Sequence, residues 1–195
     1  MILLFIASFT IPSLSLLIAN LKKMPGQQKE ESTNSREFWM FIGSLVFFLT
    51  AIFIIAKTSV PVYNKIFGSR IAQPENVEFS YNKVVILVAI IIGLLSAVTQ
   101  YLKYKKTAPG YVLKKIALPT LLAALVTGLL AVFYPLTYYK MGAGFLGAAY
   151  VALFATIYSV IANAFYIWTG LNGKLKSAGG SVAHLGFALM LVGIL

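Results

Sequence analysis

Six apolar runs, none containing an acidic residue, constrain what this chain can fold into. They cover roughly Ile2–Leu21, Phe38–Ala56, Val84–Leu102, Ile116–Tyr134, Phe145–Trp168 and Ser181–Leu195. The first five are about 20 residues long, enough for a helix to cross a hydrocarbon core of about 30 Å. In lipid the backbone must satisfy its own polar groups, and helices do so within one segment. The pattern therefore predicts an all-α polytopic transmembrane bundle of about six helices, one membrane domain over residues 1–195. The sixth run is shorter and reaches Leu195 without a polar flank, so it reads as an incomplete helix. The first run has neither a charged start nor a small-residue cleavage site, which argues against a signal peptide.

Charge then suggests an orientation. The net charge is +11, a value that could point to nucleic acid, but the basic residues fall between apolar runs instead of forming one patch. They read as topology determinants. Eleven sit in alternate loops: Lys22, Lys23, Lys29 and Arg36; Lys103, Lys105, Lys106, Lys114 and Lys115; Lys174 and Lys176. The opposite loops hold Lys57, Lys65, Arg70 and Lys140, with Lys83 at a boundary. The positive-inside rule puts the richer loops in the cytoplasm and the N-terminus outside. His184 then lies about one turn inside the cytoplasmic face. Local signals agree: Asn34 and Glu37 have capping-box spacing, Pro74 and Pro109-Gly110 break loops, and Pro135 closes the fourth run. Lys22–Arg36, rich in Gln, Glu and Ser, reads as a mobile loop. The outer loop 57–82 mixes aromatics with Lys65 and Arg70. Its readings are a solvated connector, or a docking segment or amphipathic surface helix.

Chemistry has few candidate residues. There is no Cys, hence no disulfide or thiol chemistry. All five acids (Glu30, Glu31, Glu37, Glu75 and Glu78) lie outside the apolar runs, so a proton-coupled carboxylate at membrane depth is missing. No catalytic acid or base can be named. The sole histidine, His184, lies in a membrane-grade run, where ionisable groups mark sites by default. Gly180, His184 and Ala188 recur at i, i+4 spacing, flanked by Ser181, Phe187 and Leu191. Small residues beside an imidazole would let a flat macrocycle approach, and imidazole ligates haem iron. The competing reading makes His184 a hydrogen-bonding contact between packed helices. In the fifth run Gly144, Ala148, Ala152, Ala155, Ser159 and Ala162 form a small-residue stripe, read as close packing or, alternatively, as the border of a cofactor; Asn163 at its inner end reads as a packing contact, the alternative being that it orients the imidazole or a haem propionate.

Several ordered segments resemble the CcmF family of bacterial cytochrome c maturation proteins. Ser35-Arg36-Glu37 is similar to the family's Ser-Arg-Glu, opening a membrane helix. Lys57-Thr58-Ser59-Val60-Pro61 resembles its Gly-Thr-Leu-Tyr-Pro exit, with Lys57 in place of glycine. Phe79-Ser80-Tyr81-Asn82-Lys83 resembles its aromatic-Asn entry. Ala183-His184-Leu185-Gly186, followed by Val192-Gly193-Ile194, resembles its Ala-His-Leu-Gly helix. The resemblance implies that His184 is an axial ligand to a b-type haem, with Gly180 and Ala188 beside the ring and the second axial ligand outside this chain. It further implies a subunit of a haem lyase complex in the bacterial inner membrane. That complex takes haem from a haem chaperone and delivers it to apocytochrome c, alongside other maturation subunits. Quinol is the implied electron source. The family's Trp-rich haem-handling region and its flanking histidines have no counterpart here, which fits a fragment or one half of a split protein. The alternative is a cofactor-free membrane subunit of the transporter or permease kind.

Overall fold

The computed structural model describes residues 2–23, 32–108 and 110–195, and every regular element in them is helical. The chain divides into two compact units, residues 1–30 and 31–195. The first contains α1, Ile2–Asn20, an apolar helix with Pro12 inside it. Most of the proposed mobile loop, residues 24–31, lies outside the described residues.

The second unit contains α2 (Arg36–Thr58), α3 (Val60–Phe67), α4 (Val77–Val98), α5 (Tyr111–Phe133), α6 (Ala143–Thr169) and α7 (Gly179–Ile194). A short 3-10 turn extends α4 to Tyr101. Within this unit four helices are long and apolar enough to cross a membrane: α2, α4 with its extension, α5 and α6; α7 is shorter. Large apolar side chains face outward along them, including Phe41, Phe48, Leu121, Leu125 and Val132. Water would penalise such a surface, whereas lipid solvates it. The chain is a multi-pass membrane protein with an all-α fold.

The helices overrun the apolar runs because polar residues cap them beyond the hydrocarbon. Asn76 accepts from Phe79 N–H at 2.8 Å, so α4 starts two turns before Val84. α2 starts one residue past the expected cap: Ser35, not Asn34, accepts the Phe38 N–H at 3.2 Å. Glu37 does not complete a capping box. Its carboxylate accepts the Lys105 N–H at 2.9 Å, tying α2 to the α4–α5 loop. Outer loop 57–82 is only partly a connector, since it holds the end of α2, all of α3 and the first turns of α4. Gly68, in the left-handed region at φ 62°, ends α3.

Helix α6 is the hub and packs on α4, α5 and α7. Its stripe from Ala152 through Ala155, Ser159 and Ala162 is buried as expected, while Gly144 at the start is exposed. Without water to drive association, small residues and interhelical hydrogen bonds hold membrane helices together. Both occur here. Ser96 Oγ and Ser159 Oγ lie 2.6 Å apart, Asn163 donates to Ser96 O at 3.1 Å and Ser159 O at 2.9 Å, and the Tyr101 hydroxyl donates to Ala162 O at 2.7 Å. Asn163 is fully buried in this contact, its amide nitrogen donating across it while its Oδ1 has no partner among the described residues.

Candidate functional site

An apolar groove of about 360 Å³ runs between α2, α4 and α7. One wall is a single face of α2, where Arg36, Trp39, Met40, Gly43, Ser44 and Phe47 recur every three or four residues. A second is α4, from Ile92 through Leu95 and Ser96 to Thr99 and Gln100. The third is the start of α7, where Gly180 and His184 face the groove one turn apart.

His184 is exposed, and the described residues provide it no hydrogen-bonding partner. The reading in which it bridges two packed helices finds no partner for it among these residues. The packed face of α7 lies elsewhere. Ser181 and Ala188, seven residues apart and so nearly superimposed around the helix, are both buried. Ser181 donates to Gln100 Oε1 at 3.2 Å. The Gly180–His184–Ala188 row is thus split. Gly180 and His184 line the groove, and Ala188 turns into the packing, because each i, i+4 step advances about 40° around the helix. A Cβ added at Gly180 would meet nothing within 4 Å, so the wall beside the imidazole is open. Of the flanking residues, Phe187 and Leu191 are half-buried and do not line the groove.

A polar clamp closes one end of the groove. Arg36 Nε donates to Leu102 O at 3.0 Å, and its Nη2 donates to Gln100 O at 2.5 Å and to the Tyr166 hydroxyl at 3.2 Å. Backbone bonds from Arg36 N to Lys103 O (3.1 Å) and from Thr107 N to Asn34 O (2.9 Å) reinforce it. Buried Ser35 and the Trp39 indole, donating to Thr33 O at 2.8 Å, lock the entry to α2. The Ser-Arg-Glu segment therefore joins the starts and ends of several helices at one level. Sequence reading alone missed the α2 wall of the groove. Its signal was present, a helical stripe of Arg, Trp, Met, Gly and Ser on a face otherwise indistinguishable from lipid-facing surface.

The His184 imidazole is a side chain of this wall that could hold a haem iron. Met40, whose thioether can also ligate haem iron, is the other lining residue with that capacity. Among the described residues no group of three or more His, Cys, Asp or Glu could hold a metal ion. The fold and groove define a polytopic helix bundle with an apolar cleft that carries one histidine. Compared with protein-family models, curated proteins and solved structures, the chain matches none.

Proposed function

We propose that this chain is a haem-binding membrane subunit of a cytochrome c haem lyase complex in the bacterial inner membrane, with its N-terminus outside. The observation that carries the reading is His184, presented to an apolar groove next to an open glycine wall. The ordered motifs around Arg36, Lys57, Phe79 and His184 support the same assignment. In this reading His184 supplies one axial ligand to a b-type haem and a histidine from outside the chain supplies the other. Gly180 leaves room at the ring edge, and Trp39, Phe47 and Leu95 exclude water. The haem, when bound, supplies one-electron transfer, with quinol as the source. A haem chaperone, other maturation subunits and apocytochrome c are the proposed partners.

A second reading, a cofactor-free subunit of the transporter or permease kind, draws on the ligand inventory. That inventory taken alone favours it, since among the described residues no group of three or more His, Cys, Asp or Glu could hold a metal ion. An optical spectrum of the assembly purified from membranes separates the two. The haem reading expects a reduced b-type absorption that His184→Ala abolishes while the variant still inserts. Met40→Leu should leave the spectrum unchanged, because the second ligand comes from elsewhere. An unaltered spectrum in His184→Ala, or no haem in the intact assembly, would return the chain to the second reading.

A further inference from the structure

We propose that a second pocket, on the other side of Arg36 from the groove, binds the phosphate of an anionic phospholipid. The inference is independent of the haem reading. The pocket has a volume of about 220 Å³ and lies where the ends of α4 and α6 meet the starts of α2 and α5. Arg36, Lys103 and Lys115 bring three cations to it, and Tyr104, Tyr111 and Tyr166 bring phenols able to donate.

Among the described residues no acidic side chain lines the pocket. Glu37, the acid described at this end, is turned to the Lys105 N–H instead. Arg36 is half-buried, and its partners among the described residues are two carbonyls and a phenol, which orient its charge without neutralising it. The Lys103 ammonium stands 4.9 Å from the centre of the Tyr111 ring, which holds it at the pocket. Concave cationic surfaces with hydroxyl donors bind phosphate, and those at headgroup level recruit anionic lipid.

Position selects a lipid over a soluble phosphate. The pocket sits at the ends of helices whose apolar stretches stop there, the level at which headgroups would meet a helix that spans the hydrocarbon. Leu118, one turn along α5 from Lys115 towards the hydrocarbon, is exposed and offers an apolar surface to an acyl chain.

The test uses the full chain purified in a neutral detergent, with thermal stability as the readout. Phosphatidylglycerol should raise Tm and phosphatidylcholine should not. The double variant Lys103→Gln/Lys115→Gln should bind phosphatidylglycerol roughly 30-fold more weakly, from about 1 kcal/mol per lysine near a charged surface. Lys65→Gln/Lys140→Gln, at the opposite end of the bundle, should behave as the parent does. Equal responses to the two lipids, or an undiminished response in the Lys103/Lys115 variant, would overturn the site. A Tm rise with millimolar inorganic phosphate matching that of phosphatidylglycerol would overturn the lipid assignment in favour of a soluble phosphate.

Discussion

Gly93 fixes the closest approach between α4 and α6. A Cβ placed there would lie 3.0 Å from the Ala155 carbonyl carbon and 3.1 Å from its oxygen and Cβ. Backbone cannot retreat as a flexible side chain can, so Gly93→Val should cost about 1–3 kcal/mol through overpacking. Gly128 on α5 supplies the control, since a Cβ there meets nothing within 4 Å and Gly128→Ala should change stability by no more than about 0.5 kcal/mol. Asn163→Ala tests the polar part of the same contact. Its two shorter donated bonds, at about 0.6 kcal/mol each in membrane helices, predict a loss near 1 kcal/mol. Unfolding of the purified protein in detergent should rank Gly93→Val as the most damaging of the three. A harmless Gly93→Val would mean that the two helices are not in close contact. His184 differs from both, because it contributes no hydrogen bond to packing and its substitution should leave unfolding almost unchanged.

At the scale of helices, the small-residue stripe of α6 was legible because its steps of three and four keep one face free of large side chains. Its central positions are buried against neighbours, and Ala155→Leu should therefore lower stability by about 1–3 kcal/mol, measured in the same unfolding assay. Val151→Leu on the exposed side of α6 should be tolerated. The long helices were legible as well, from apolar length alone. Their true ends were not, since Asn76 and Ser35 cap beyond the apolar runs and polar first turns look like loop in sequence. The α2 wall of the groove was hidden for another reason. Apolar residues fill every face of a helix in lipid, so periodicity does not separate a surface that lines a cleft from one that meets acyl chains. Arg36, Gly43 and Ser44 break the uniformity, and their shared face becomes visible once α4 and α7 are placed beside it.

For the whole molecule, orientation rests on eleven basic residues against four, and a chain without cysteine makes it directly measurable. Single cysteines at Gln73 and Asn172 should label from opposite sides of the membrane, Gln73 from outside; labelling of Gln73 from the cytoplasm alone would reverse the assignment. The groove carries a consequence for how such a protein can change over evolutionary time. Helix α2 is fastened at its first turn by the Arg36 clamp and at its last by Lys57, which contacts the Ser80 hydroxyl and lies 5.4 Å from the Tyr81 ring centre. Between these fastenings α2 buries no residue at all. The middle of the helix spans the cleft as a plank spans two trestles, carrying little of the weight of the fold. Residues such as Met40, Ser44 and Phe47 can therefore be exchanged with little penalty to folding, so the shape and chemistry of the cleft are free to drift toward new occupants while the frame persists.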